Sequence, residues 1–141
     1  MPAHITLLYP FKPATALTSA DHQMLAALFA GYALFAFALD TICRFSGVLQ
    51  LPPSPPAPFA AMTDAVATAF LEYLPYGGRF ATLVPHLTVA ELPAHELETV
   101  AVEFETAATG GFPIEACVTE AWLYVRNSAR WEPELSYPLS R

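Results

Sequence analysis

Two short stretches of this chain hold the residues best suited to chemistry, His4-Ile5-Thr6 and His86-Leu87-Thr88. Each lies one or two residues after a proline, Pro2 or Pro85, and each opens an apolar run. In an extended strand, side chains two apart share a face, so each stretch presents one imidazole beside one hydroxyl. Two such strands facing one cleft would hold two imidazoles and two hydroxyls around a small anion. Imidazoles titrate near neutrality and suit paired acid and base work. One takes a proton from an attacking water or hydroxyl, and the other gives a proton to the leaving oxygen. Each role is worth roughly 10²–10⁴ in rate. Threonine hydroxyls can bind non-bridging phosphate oxygens without adding charge. A strained cyclic phosphodiester fits this set, because no metal is needed to generate the nucleophile.

The remaining residues offer less. The chain has 4 His in all, and His22 and His95 fall in first turns of expected helices, where a surface position is the simpler reading. There is no HExxH or CxxC spacing for zinc. Gly77-Gly78 and Gly110-Gly111 lack the lysine and helix of a phosphate-binding loop. No serine sits in a G-x-S-x-G elbow, and no pair of strand-borne acids points to a glycosidase. The bland alternative is a structural domain whose two strand histidines are satisfied by backbone partners.

Elements must position these residues. Met1 to Phe11 reads as a strand, ended by Pro10 and Pro13. Thr18-x-x-Asp21 resembles a capping box and opens a helix with Met24, Leu25, Leu28 and Phe29 on one stripe, ending near Gly31. Phe35 to Thr41 and Phe45 to Leu51 read as strands. The run from Pro52 to Pro58 reads as a stiff connector that cannot pair in a sheet. Phe59, Met62, Val66 and Phe70 then recur at helical spacing. A turn at residues 76–79 and an extended run over 80–84 lead into the second His-Thr strand, His86 to Leu92. Pro93 opens a third helix with Leu97, Val100 and Phe104 inward, stopped by Gly110-Gly111. Residues 112–119, 121–126 and 131–139 read as strands, with a turn at Asn127-Ser128. Each half therefore runs His-Thr strand, helix, two strands. The expected architecture is α+β: two pseudo-symmetric lobes of mainly antiparallel sheet, helices outside and a central cleft, over residues 1–141 as a single bilobal domain.

Composition limits the partners. Of 141 residues, 55% are hydrophobic and 13% charged, with a net charge of −7. Long nucleic acids are held through many Lys and Arg contacts, and this chain has six such residues in total. A small ligand with one or two phosphates is compatible. The longest uncharged apolar run, Met24 to Leu39, is too short for a bilayer and reads as helix end, turn and strand. No basic segment leads into an apolar stretch at the start, so no signal peptide is expected. Cys43 and Cys117 are expected to be buried free thiols, which points to the cytoplasm.

Taken together, Pro2-Ala3-His4-Ile5-Thr6-Leu7-Leu8-Tyr9-Pro10-Phe11, Pro75-Tyr76-Gly77-Gly78 ahead of Pro85-His86-Leu87-Thr88-Val89-Ala90, and the late Trp131 resemble the 2'-5' RNA ligase family of the two-histidine phosphoesterase superfamily. The similarity runs over nearly the whole chain. It implies a bilobal fold with both His-Thr pairs lining the cleft, no cofactor and no metal. It implies opening of 2',3'-cyclic phosphates on small nucleotides or RNA ends, or the reverse joining through a 2'-5' bond. Carried over residue by residue, His4 and His86 are the acid/base pair, and Thr6 and Thr88 bind the substrate phosphate. Tyr9 and Phe11 are candidates to stack on a base, and Arg44, Arg79, Arg126 and Arg130 to make a second phosphate contact.

One departure stands out. Family members usually carry a strand and a helix before the first motif, whereas only Met1 to Ala3 precede it here. The second motif has such elements at residues 45–51 and 59–74. The domain is accordingly expected to be N-terminally shortened, with an uncovered first lobe that is destabilised or completed by self-association. A non-catalytic remnant that binds a phosphorylated ligand or a protein partner is the competing reading.

Overall fold

The computed structural model describes residues 1–45, 47–73 and 84–141. The expected turn at 76–79, the extended run that follows it, and Arg79 lie outside the described residues.

The first helix, α1, spans Ser19–Ala30. Its start is fixed as the sequence predicts: the Thr18 hydroxyl accepts from the Asp21 amide, and the Asp21 carboxylate accepts from the Thr18 amide. Lys12 adds an ammonium donor to the same carboxylate at 2.7 Å. These donors hold the Asp21 carboxyl at about 2, well below its ordinary value, with the Lys12 hydrogen bond the largest cause.

Among the described residues, eight strands follow in chain order: β1 (Phe35–Leu39), β2 (Cys43–Phe45), β3 (Val48–Leu51), β4 (Pro53–Ser54), β5 (Leu87–Glu91), β6 (Ile114–Val118), β7 (Glu120–Asn127) and β8 (Arg130–Pro138). Helices α2 (Ala57–Ala69) and α3 (Ala94–Ala108) lie among them. These strands form three antiparallel sheets among the described residues, with orders β4-β1-β6, β2-β3-β5 and β7-β8. Only Thr119 separates β6 from β7, so residues 114–127 form one bent run. One side of that run is filled by β1 and then β8. The Thr119 carbonyl accepts from Leu139 N, and Ser140 bridges to residues 32–34 just ahead of β1. Ser128, in the left-handed region at φ 56°, closes the β7–β8 hairpin.

The chain is α+β, with two cores. In the first, Leu25 and Phe29 of α1 meet Phe59, Met62 and Val66 of α2 and Leu123 and Tyr137 of the hairpin. In the second, Leu97 and Ala101 of α3 cover Leu49 of β3. Thus α2 serves the first lobe, although it lies just ahead of the second motif. The reason is its aromatic anchor: the Phe59 ring meets Phe35 and Phe37 edge-on, each at 5.1 Å.

Three other expectations are corrected. Met1 to Phe11 does not form a strand; among the described residues only Ile5 pairs, in a single bridge to Leu87. Extending that bridge would set Leu7 against Pro85 and Pro2 against Ala90, and neither proline has an N–H to donate. Pro53 and Ser54, in the connector expected not to pair, form a short edge strand on β1, a position where a proline needs no donor. Cys43 and Cys117 are free, but Cys43 is half-buried and Cys117 exposed.

Candidate active site

The bridge that interrupts the expected strand is what builds the site. Ile5 and Leu87, the central residues of the two His-x-Thr stretches, face each other antiparallel. Antiparallel counting from that pair sets His4 against Thr88 and Thr6 against His86. All four flank the bridging residues, so their side chains leave from the opposite face to Ile5 and Leu87. The two imidazoles lie on one diagonal and the two hydroxyls on the other, at a Cβ spacing of roughly 7–8 Å. By this counting the four expected site residues lie around one bridge, related by a local half-turn, although the cavity lined by His4 and Thr6 is not lined by His86 or Thr88.

Both histidines are oriented in the same way. His4 Nδ1 lies 2.8 Å from the Pro2 carbonyl, and His86 Nδ1 lies 2.8 Å from the Val84 carbonyl. A carbonyl only accepts, so each Nδ1 carries the proton and donates it. In the neutral ring each Nε2 is then left with its lone pair. The two carbonyls that set this tautomer are main-chain groups, which a reading of side chains passes over. The visible signal is that each sits within a residue of a proline, at Pro2 itself or just before Pro85. His4 and Thr88 are exposed; Thr6 and His86 are half-buried.

This geometry accompanies a family match. A model of the 2'-5' RNA ligase superfamily matches residues 1–130. The chain belongs to the 2'-5' RNA ligase superfamily. Its fold resembles a crystal structure described as a phosphoesterase, with a TM-score of 0.55 at 17% identity, covering 99% of this chain and 78% of that one. It also resembles Escherichia coli LigT complexed with NADP+, with a TM-score of 0.54 at 17% identity, covering 99% of this chain and 77% of LigT. LigT complexed with 3'-AMP gives 0.53 at 17% identity, covering 99% and 78%. No curated protein matches the chain in sequence.

The secondary candidates separate. Arg44 is taken: its guanidinium binds Glu98 through Nε at 2.9 Å and Nη2 at 3.2 Å, and Glu105 through Nη2 at 3.1 Å. These bonds raise its pKa and tie β2 to α3. Phe11 belongs to the core, edge-on to Phe70 at 5.0 Å and to Tyr73 at 6.0 Å. Tyr9 stays exposed and meets exposed Trp131 edge-on at 5.9 Å. Tyr9, Trp131 and Arg126 line the same cavity as His4 and Thr6. Arg130 is exposed at the hairpin end. His22 is half-buried rather than a surface group, its Nδ1 2.8 Å from the Tyr137 hydroxyl. His95 is exposed beside Glu96. Among the described residues, no group of three or more His, Cys, Asp or Glu is placed to hold a metal ion, and no helix is long and apolar enough to cross a membrane.

Proposed function

We propose that the chain is a cyclic phosphodiesterase that opens 2',3'-cyclic phosphates on small nucleotides or RNA ends, with His4 and His86 as a metal-independent acid/base pair. The observation that carries this reading is the matched pair of Nδ1–carbonyl hydrogen bonds. If side chains alternate about the Ile5–Leu87 bridge as in a strand, the two Nε2 atoms, one from each motif, share one face of it. One neutral imidazole accepts a proton from water as the water oxygen attacks phosphorus. The ring P–O bond breaks, and the departing ribose oxygen takes a proton from the other imidazole in its protonated form. Thr6 and Thr88 donate to the non-bridging oxygens. Tyr9 and Trp131, exposed on the cavity that His4 and Thr6 line, provide a surface for the base. The free thiols of Cys43 and Cys117 accord with a cytoplasmic location.

The test is hydrolysis of a 2',3'-cyclic mononucleotide in EDTA, comparing the native chain with His4→Ala and His86→Ala. The expected result is turnover by the native chain and a loss of roughly 10²–10⁴ in each variant. Turnover unchanged in either variant refutes the paired mechanism. A second reading, phosphate-ligand binding without turnover, is favoured by one feature: among the described residues, the first motif is tied to the sheet by a single bridge, and catalysis is sensitive to such looseness. Tight nucleotide binding by a folded chain with no turnover would select it.

A further inference from the structure

The second lobe encloses a polar side chain that the proposed reaction leaves unused. Gln50 of β3 is 8% exposed. Asp21, buried to the same degree, is met by Lys12 and Thr18, whereas the Gln50 amide has no hydrogen-bond partner among the described residues. Its carbonyl and two N–H donors lose water on burial, and such groups are normally paired. The neighbours of Gln50 fix the face on which it lies. Leu49 packs on Leu97 and Ala101 of α3. Arg44, directly across from Leu49 on β2, reaches Glu98 and Glu105 of the same helix. The next residue along β3 points away from that helix.

On that face Gln50 is paired with Thr88, directly across the ladder to β5. Opposed residues of an antiparallel pair share a face, with Cβ atoms about 4.5–5.5 Å apart. A bulge makes this pairing: the register shifts between Leu49 and Gln50, and Val89 is the extra residue. Val89 and Ala90 both pack into the α3 core. In an unbroken register Gln50 would oppose Val89 instead of the second-motif threonine. The distances suit a shared ligand. Strands lie about 4.8 Å apart, so β3 is about 7 Å from a phosphorus atom centred between Ile5 and Leu87. An amide reaching about 4 Å from its Cβ, a hydrogen bond of about 2.9 Å and a P–O bond of about 1.5 Å cover that span. Arg44 cannot supply this donor, since Glu98 and Glu105 hold it on the other face.

We propose that Gln50 is a further substrate-binding residue, whose amide N–H donates to the same non-bridging phosphate oxygen that Thr88 holds. The assignment rests on the reading of the two His-x-Thr stretches as a phosphate site. An amide adds a donor without adding charge, and it is aimed at an oxygen that gains negative charge as water attacks phosphorus. A hydrogen bond to a charged oxygen is stronger than one to a neutral group. The bulge at Val89 is the device that brings the donor there, and bulges re-aim side chains in this way.

The test compares the 141-residue chain with Gln50→Leu and Gln50→Glu, on 2',3'-cyclic mononucleotides of all four bases and on the two phosphorothioate diastereomers of one of them. Gln50→Leu should lower kcat/KM about 10- to 150-fold, equally for every base. Gln50→Glu, whose carboxylate repels the phosphate, should lower it further. Sulfur accepts hydrogen bonds poorly, so sulfur in place of the shared oxygen slows the native chain. Gln50→Leu and Thr88→Val should shrink that penalty for the same diastereomer, and Thr6→Val for the other. Thermal melting shows that each variant is folded, and Gln50→Leu should melt no lower than the native chain, because an enclosed amide gives way to an apolar group of similar size. If Gln50→Leu does not fold, Gln50→Glu carries the same comparisons. Calorimetry with a nucleoside 2'-monophosphate reads the contact without turnover: a native chain that binds but does not turn over, with binding about tenfold weaker or more in the Gln50 variants, keeps this assignment and removes the paired-histidine mechanism. Turnover lost in His4→Ala and His86→Ala but changed less than threefold in the Gln50 variants overturns the assignment alone. So does a loss confined to one base, or a sulfur pattern that follows Thr6. A native chain that neither binds nor turns over overturns both.

Discussion

Replacing each site threonine by valine tests the geometry of the bridge more sharply than deleting a histidine. Valine keeps the shape and removes only the hydroxyl. Thr6 and Thr88 lie diagonally across Ile5 and Leu87, with Cβ atoms roughly 7–8 Å apart. Two hydrogen bonds of about 2.8 Å, plus the width of one phosphate group, span that gap. Each hydroxyl can therefore bind a different non-bridging oxygen of a single phosphate. A hydrogen bond to a charged group is worth about 1.5–3 kcal/mol, so kcat/KM should fall about 10- to 150-fold in either variant. The half-turn relation adds a stricter demand: Thr6→Val and Thr88→Val should fall within about tenfold of each other, a difference of 1.4 kcal/mol. Thr→Ser at either position should restore most of the loss. The assay is steady-state hydrolysis of a 2',3'-cyclic mononucleotide, with thermal melting to show that both variants fold. A change below about threefold in either variant, or a large loss in only one, refutes the placement of both hydroxyls on one phosphate.

Other outcomes follow from the packing and charge. The Asp21 carboxyl is held at about 2, below its unfolded value near 3.8. Its contribution to stability is thus fully present above pH 4 and lost as pH falls through about 2; denaturant melts of Asp21→Asn should lack that part of the acid sensitivity. Leu49→Ala, at a fully buried site, should cost about 2–5 kcal/mol. Met62→Ala should cost less, because Met62 already borders a cavity; urea melts that reverse this order would count against the packing described. Gly47 has φ 79°, and an added Cβ would meet the Leu92 carbonyl at 3.0 Å. Gly47→Ala should therefore destabilise by about 1–2 kcal/mol in the same melts.

Local patterns were legible and long-range choices were not. The capping box of Thr18 and Asp21 lies within four residues and reads directly. The hairpin of residues 120–138 likewise follows from alternation on both sides of Asn127-Ser128. The four candidate residues were picked out because two apart on a strand means one face, a rule that needs no knowledge of the fold. Where α2 packs could not be read this way: its Phe59, Met62 and Val66 stripe fits either lobe, and contact with Phe35 and Phe37 decides. Arg44 looked available because Glu98 and Glu105 lie more than fifty residues away in sequence. The first segment failed as a strand through the placement of Pro2 and Pro85, whose effect depends on which residues they oppose. The carbonyls of Pro2 and Val84 were hidden for a simpler reason: every residue has one.

The two imidazoles differ in exposure, but each is held by the carbonyl two positions before it. A half-turn about the Ile5–Leu87 bridge exchanges them. Bond cleavage and bond formation at phosphorus are one path travelled in opposite senses, and the group that gives a proton on the way out must take it on the way back. Under the proposed acid/base reading, a pair built from one repeated unit lets either member begin as the base. What is bound then sets the product: water attacking a cyclic phosphate opens it to a free end, and the hydroxyl of a second strand end attacking the same phosphorus would join the two strands.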